Sequence, residues 1–202
     1  MAANRDEFHG RPAAAAAFWG DRAGILAGRD LQALGTWMGV SRSGRFAAVT
    51  NYRGAREPSS AESRGALVAR FLESAVAPAA YVQAIEAKAY SGFNLLAADG
   101  RELWWMSNRA GAPRQLEPGV YGLANLLLDS PDVEAGKARF GDAIQPAPAV
   151  DPLFALLAEA RIVNPEYGTR CSTIYLQSSR TRYAERTFSP DGAEQETVQF
   201  EF

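Results

Sequence analysis

The chain has 202 residues, 47% hydrophobic and 22% charged, which is enough for one substantial core and predicts a single domain over 1–202. A net charge of -2 with scattered arginines argues against a nucleic-acid surface, so a small-molecule or protein partner is expected. One cysteine and one histidine exclude an intramolecular disulfide and a zinc site rich in His and Cys.

The composition also bears on location and source. The opening residues Met1–Asp6 contain no apolar segment typical of a signal peptide, and no run approaches the roughly 18 apolar residues of a membrane span. We therefore expect a cytoplasmic chain without a membrane span. Lys88 and Lys137 are the only lysines and alanine is abundant, which indicates a GC-rich bacterial genome. The sequence indicates no oligomeric state.

The first 35 residues carry no clear pattern of a regular element. The segment Asn4–Trp19 is polar and then rich in Pro and Ala, and four glycines follow by position 35. Because glycine weakens helices, this stretch is predicted to be loop, and the run Ala13–Ala17 is interpreted as filler of a helix turn.

Two hairpins are predicted next along the chain. In each, a turn-forming segment separates short runs of β-prone residues, and Asp99-Gly100 readily adopts the positive φ of a tight turn. The paired runs are Thr36–Val40 with Arg45–Thr50, and Phe93–Ala98 with Leu103–Ser107.

Helices are predicted where apolar residues recur at helical spacing behind Ser, Asp or Pro. They are a helix from Ser60 that carries Leu67, Phe71 and Leu72, a short helix over Tyr81–Lys88, and helices near 132–140 and 152–161. Further strands are predicted at Val120–Leu123, Thr173–Leu176, Tyr183–Phe188 and Thr197–Phe202. Because most strands follow one another as hairpins, the sheets should be antiparallel rather than of the parallel Rossmann type.

Several ordered blocks carry a family resemblance. The opening Asn4-Arg5-Asp6-Glu7-Phe8 is followed by blocks that keep one order along nearly the whole chain: Gly28–Leu31, Gly35–Val40, Phe46–Arg53, Gly119–Asn125 and Tyr167–Thr173. On these blocks the chain resembles the NRDE family, the relatives of transport and Golgi organisation protein 2.

The resemblance implies a fold and a chemistry. The family is similar to N-terminal-nucleophile (Ntn) hydrolases of the choloylglycine hydrolase and penicillin acylase type, so an α+β fold is expected, an αββα sandwich of two antiparallel sheets between helical layers. In such enzymes an N-terminal Cys is the nucleophile and its own α-amine serves as the base, because an α-amine titrates near neutrality.

The resemblance also implies candidate site residues. Arg5, Asp6, Asn108 and Arg170 are the candidates for catalytic support. Guanidinium and amide groups there would steady developing negative charge, with Asn51 or Asn125 as other candidates for the amide. Candidate ligand-binding residues are Asn4, Asn51, Asn125 and Trp37, although aromatic residues on strands are usually core. No metal site is expected.

The N-terminus departs from the family pattern. Met1-Ala2-Ala3 runs directly into the motif, where family members carry an apolar strand that begins with Met-Cys. A strand of about 5–10 residues and the nucleophile are therefore expected to be missing, which makes the chain a truncated form in which N-terminal-nucleophile catalysis is not expected. Whether the chain is an enzyme stays open at this point.

Two functions follow as hypotheses. The first is a non-catalytic protein that binds or moves a hydrophobic metabolite, with haem trafficking and lipid or acyl homeostasis as the roles that the family implies. The second is an Ntn-type amidohydrolase that acts on an amide substrate when the full N-terminus is present. No cofactor is expected, with haem possible as cargo. His9 could ligate haem, although a lone His in a polar loop is more often a surface residue. Cys171 is expected to be a small buried residue rather than a nucleophile.

Overall fold

A computed structural model describes residues 1–54 and 62–202, which form two antiparallel sheets and four α-helices. The strands are β1 (Ala2–Phe8), β2 (Ala13–Phe18), β3 (Ile25–Asp30), β4 (Met38–Ser41), β5 (Phe46–Asn51), β6 (Phe93–Ala98), β7 (Leu103–Ser107), β8 (Arg114–Gln115), β9 (Tyr167–Gln177), β10 (Thr181–Phe188) and β11 (Glu194–Glu201). The helices are α1 (Arg64–Glu73), α2 (Pro78–Gln83), α3 (Glu134–Ala143) and α4 (Val150–Ala158). This arrangement confirms the expected α+β class with antiparallel sheets.

The elements group into two units. Unit 1 comprises Met1–Ala16 and Ala135–Phe202, and unit 2 comprises Ala17–Glu134. Unit 1 contains a four-stranded sheet in the order β1-β9-β10-β11, while the other sheet has seven strands in the order β2-β3-β4-β5-β6-β7-β8. The single domain over 1–202 stays a prediction.

The apolar face of unit 1 lies beneath α4. Leu153, Phe154 and Leu157 of this helix pack against residues of β9 and β10, among them Ile174 and Ala184. Leu153 and Ile174 have no exposed surface. Burying such side chains is the main favourable term in folding, so this contact fixes α4 on the sheet.

In unit 2 the core lies between α1 and the central strands. The α1 residues Leu67, Phe71 and Leu72 are buried against side chains of β5, β6 and β7, among them Leu95. Gly39 is required by this packing, because a Cβ there would lie 2.7 Å from the Cβ of Ala27 and 3.0 Å from Cδ1 of Leu72.

Both predicted hairpins are confirmed. β4 pairs with β5 and β6 pairs with β7 in antiparallel register. Gly44 and Gly100 adopt φ values of +80° and +85° in the two turns, a conformation that side chains with a Cβ rarely adopt. The Oδ1 atom of Asp99 also accepts hydrogen bonds from the backbone amides of Arg101 and Glu102, which stabilises the second turn.

The prediction of loop for the first 35 residues is wrong. Asn4–Phe8 lies within β1, the run Ala13–Ala17 lies in β2, and Ile25–Asp30 forms β3 despite Gly28. The polar motif is a strand because its backbone pairs with β9, with Asn4 opposite Ser172. Backbone pairing between residues far apart in the chain outweighs local propensity here.

The helix predictions are confirmed in position and corrected in their ends. The expected start at Ser60 lies outside the described residues, and the N-cap of α1, Ser63, makes no capping bond through its side chain. In place of one helix over Tyr81–Lys88, α2 ends at Gln83 and a separate 3-10 turn covers Ala87–Ala89. Helices α3 and α4 occupy the two regions predicted near 132–140 and 152–161.

The predicted strand Val120–Leu123 is wrong. The chain instead forms a loop closed on itself, in which the amide of Gly122 donates to Oδ1 of Asp129 at 2.8 Å and the amide of Asp129 donates to the carbonyl of Gly122 at 2.8 Å. These local bonds satisfy the backbone groups that a strand would have paired with a neighbour. The three strands predicted in the C-terminal tail are confirmed as β9, β10 and β11.

Candidate functional site

The motif residue Asn4 joins two strands and a helix. Its Oδ1 accepts a hydrogen bond of 2.6 Å from the Ser172 hydroxyl, and its Nδ2 donates to the carbonyl of Leu157 at 3.0 Å. These bonds connect β1 to β9 and to the end of α4, so the amide of Asn4 fixes the motif strand in place.

A group of buried polar side chains lies on β1, β9 and β10, and we call it the carboxylate cluster: Arg5, Cys171, Thr173 and Glu185. Glu185 has no exposed surface, and its carboxylate accepts hydrogen bonds from the amide of Ala16 at 2.7 Å and from the Thr173 hydroxyl at 3.1 Å. Burial raises the pKa of Glu185, while these hydrogen bonds and the charge of Arg5 oppose the rise.

Sequence reasoning missed Glu185 as a candidate. Glu185 lies two positions after Tyr183 in β10, and side chains two apart in a strand share one face of the sheet. A charged residue on the same face as Tyr183 could therefore have marked this position. Tyr183 has no exposed surface, so an apolar neighbour would be expected at position 185. A buried carboxylate beside a buried guanidinium is the kind of arrangement found at functional sites.

The chain's single thiol belongs to this cluster. Burial, and secondarily the charge of Glu185, raises the pKa of Cys171 well above its ordinary value, and the residue is 3% exposed. Since the thiolate is the reactive form, this environment keeps Cys171 unreactive. The expectation that Cys171 is a small buried residue is confirmed.

Asp6 and Arg170 both form hydrogen bonds near the end of the motif strand. Asp6 accepts a hydrogen bond of 2.6 Å from the Thr169 hydroxyl, and burial raises the pKa of Asp6 while that bond opposes the rise. Nη1 of Arg170 donates to the carbonyls of Phe8, the last residue of β1, and of His9 and Arg11 in the loop that follows, at 3.1–3.2 Å. The two predicted residues therefore hold the loop that follows the motif.

His9 is held within that loop. Its Nε2 lies 3.0 Å from the carbonyl oxygen of Asn164, and because a carbonyl only accepts, Nε2 carries the proton in the neutral ring. The Nδ1 atom, which then holds the free lone pair, is buried. His9 thus presents no accessible nitrogen for coordinating a metal or haem iron.

Three exposed apolar side chains lie at the end of β1 and in the segment that precedes β9. Phe8 is 60% exposed, Ile162 is 43% exposed and Val163 is 58% exposed. The Phe8 ring meets the ring of Tyr167 edge-on at a centroid distance of 5.2 Å. Ile162 lies beside the same strand end, since its carbonyl accepts from the amide of Thr169 at 2.9 Å. We call Phe8, Ile162, Val163 and Tyr167 the motif-end patch.

Unit 1 contains a cavity whose lining is largely polar. It has a volume of about 390 Å³ and lies between the start of α4 and strands β10 and β11. Arg182 and Glu201 face each other in the strand register and line it together with Asp151. This lining suits a polar ligand rather than an apolar one.

The predicted asparagines of unit 2 hold loops. Nδ2 of Asn125 donates to the carbonyl of Asn51 at 2.9 Å, and the amide of Arg53 donates to the carbonyl of Asn125 at 2.6 Å. The structure therefore brings Asn51 and Asn125 together. Asn94, which sequence reasoning did not single out, is fully buried and donates to the Thr50 hydroxyl at 3.1 Å and the carbonyl of Leu126 at 2.8 Å.

Asn108 and Trp37 have separate surroundings in unit 2. Nδ2 of Asn108 donates to the carbonyls of three residues, Ala87, Tyr90 and Ser91, and its Oδ1 accepts from the amide of Phe93 at 2.9 Å. These four bonds close the loop before β6. Trp37 is half-buried directly before β4, where its carbonyl accepts from the amide of Val49.

Comparison with known proteins places the chain in a family. The family model described as Transport and Golgi organisation 2 matches residues 1–166. The chain belongs to this family. A Transport and Golgi organization protein 2 homolog of Bos taurus is 35% identical over 251 aligned positions, which cover 100% of this chain and 91% of the relative. Homologs of Homo sapiens and Mus musculus are 34% and 33% identical over the same shares.

The NRDE resemblance is thereby confirmed. The aligned span exceeds the 202 residues of this chain, so the bovine relative has residues within the matched region that this chain lacks. The three relatives are mammalian, and the bacterial source stays a prediction. In the described part of the chain, no cluster of three or more His, Cys, Asp or Glu could hold a metal ion, and no helix is long and apolar enough to cross a membrane.

Proposed function

We propose that the chain binds a hydrophobic small molecule of the acyl or lipid class at the motif-end patch, as a non-catalytic carrier. The observation that carries the proposal is the exposure of Phe8 at the end of the family motif and of Ile162 and Val163 in the segment that precedes β9. Half of the large hydrophobic side chains exposed in the described residues lie here. Exposed apolar patches of this kind mark interaction sites on soluble proteins.

The energetics favour an apolar ligand at this patch. Full burial of a side chain the size of Val or Phe by a ligand stabilises the complex by about 1.5–3 kcal/mol. The patch is backed by a fixed loop, because Arg170 holds the carbonyls of Phe8, His9 and Arg11. A preformed surface costs less ordering on binding than a mobile one.

The environment of His9 supports an acyl or lipid ligand over haem. Coordination of haem iron by His9 would require the Nε2 bond to Asn164 to break, or the buried Nδ1 to become exposed. An acyl chain requires no such change. The family name refers to transport, which is consistent with a carrier.

The test measures the affinity of the chain for a fluorescent long-chain fatty acid. Val163→Ser should raise its Kd about tenfold, because a covered valine contributes roughly 1.5 kcal/mol. Val76→Ser is the matched control, since Val76 is 46% exposed in unit 2 and should leave the Kd unchanged.

Two outcomes contradict the proposal. Equal affinities of the Val163→Ser and Val76→Ser variants would remove the motif-end patch as the binding surface. A saturable Soret shift with haemin that His9→Ala abolishes would replace the acyl ligand with haem.

A further inference from the structure

Unit 2 contains a cavity that the motif residues do not touch. It has a volume of about 260 Å³ and lies beside α1, α2 and the 3-10 turn Ala87–Ala89, and we call it the tyrosine cavity. Leu67 and Ile85 give it an apolar interior, and Tyr81 and Tyr90 also line it. Its size is close to the lower end for small-ligand pockets and suits one short chain.

The two tyrosines are held in place. The Tyr81 ring meets Phe71 edge-on at 5.0 Å, and the Tyr90 ring meets Phe93 edge-on at 5.7 Å. The Tyr81 hydroxyl donates to the carbonyl of Leu67 at 2.6 Å, which leaves lone pairs of its oxygen able to accept. Both rings are therefore held in position, and the Tyr81 oxygen can still accept a hydrogen bond.

The charges lining the cavity are unequal. Arg70 pairs with Glu62 at 2.8 Å, and the Tyr90 hydroxyl bonds to both of them at 2.9 Å and 3.1 Å. Glu86 also lines the cavity, and its carboxylate has no ion pair or hydrogen bond within residues 1–54 and 62–202. One negative charge therefore remains uncompensated among the lining residues.

This imbalance selects the charge of the ligand. An anion would have to compete with Glu62 for Arg70, whereas a cation meets Glu86 without breaking an existing bond. Tyrosine rings attract cations through their negative faces, and Leu67 and Ile85 can pack against an aliphatic stem. We propose that the tyrosine cavity binds an alkylammonium group, either of a free aliphatic amine or of a lysine side chain.

The experiment follows backbone amide shifts of the full chain by NMR in phosphate buffer, which contains no amine. Titration with n-pentylamine should give saturable shifts at Tyr81, Glu86 and Tyr90, and pentanoate of equal length should give none. Saturable pentanoate binding as tight as that of the amine would overturn the proposal.

Two variants with opposite expected effects on the Kd test the proposal further. Glu86→Gln should raise the Kd for n-pentylamine about threefold to tenfold, because it removes the uncompensated charge. Arg70→Gln should lower that Kd, because it releases the Glu62 carboxylate for the ligand. Glu117→Gln is the matched control outside the cavity and should change nothing. An unchanged Kd in Glu86→Gln, or loss of binding in Arg70→Gln with an unchanged Tm, would overturn the proposal.

A second probe distinguishes the two sources of the group. Nα-acetyl-lysine methylamide should also bind, since it carries the same ammonium on a similar stem. An affinity about tenfold above that of n-pentylamine would assign the cavity to a lysine of a partner protein, and equal affinity would assign it to a free amine. Failure of both probes would overturn the proposal, and it would leave the fatty-acid proposal for the motif-end patch untouched.

Discussion

The two units differ in the polar groups that they bury. In unit 1 the carboxylate cluster places an acid with no exposed surface, Glu185, beside the guanidinium of Arg5. In unit 2 the described residues bury no carboxylate: the guanidinium of Arg45 donates to the carbonyls of Phe71 and Val76, and Asn108 bonds to nearby backbone. Neutral amide bonds stabilise a loop at low cost, whereas a buried charge costs stability that an apolar residue would not. The buried carboxylate of unit 1 is therefore the more costly of these groups to leave without its partners.

The largest effect is expected for Glu185→Ala. The variant leaves the amide of Ala16 and the hydroxyl of Thr173 without their acceptor and removes the carboxylate that interacts with Arg5. We expect a loss of about 3–5 kcal/mol in the free energy of unfolding, measured by urea denaturation. Glu196→Ala, at an exposed position of β11, is the comparison and should fall within about 0.5 kcal/mol of the parent. Similar losses in both variants would show that the buried carboxylate contributes no more to the free energy of unfolding than an exposed one.

A smaller effect is expected for Asn108→Ala in unit 2. The variant leaves the amide of Phe93 and three loop carbonyls without the side-chain partner they share. We expect a loss of about 1–3 kcal/mol by urea denaturation, with faster hydrogen exchange at Phe93. Fatty-acid affinity should stay unchanged. A loss of that affinity without a loss of stability would restore Asn108 as a site residue.

The smallest effect on the free energy of unfolding is expected for Glu185→Gln, and its size depends on pH. Burial raises the folded-state pKa of Glu185, so the folded state binds its proton more tightly than the unfolded state. The stability linked to this group is therefore fully present below the unfolded pKa of about 4.3 and is lost as pH rises through the folded value.

Measurements of unfolding free energy against pH check this sign. The parent should lose stability relative to Glu185→Gln as pH rises from about 4 towards neutrality, because Gln does not titrate. A difference between the two proteins that is constant across this range would show that Glu185 keeps its ordinary pKa in the fold.

Local signals in the sequence predicted a substantial part of the fold. The turns at Gly44 and Gly100 need a positive φ that glycine adopts without strain, so both hairpins could be placed from residue type. Helical spacing of Leu67, Phe71 and Leu72 likewise predicted α1. For the candidate site, the motif indicated Asn4, Arg5 and Asp6 as residues worth locating, but not what each one contacts.

What the sequence alone determined was therefore the antiparallel α+β class, the hairpins and the family, because these depend on turn residues, local periodicity and ordered motifs. Only the tertiary structure decided that Asn4–Phe8 and the run Ala13–Ala17 are strands and that Glu185 is buried with Thr173 and Ala16. Those outcomes depend on pairing between segments as distant as Asn4 and Ser172. The free energy of such pairing depends on both partners, and neither segment carries it by itself.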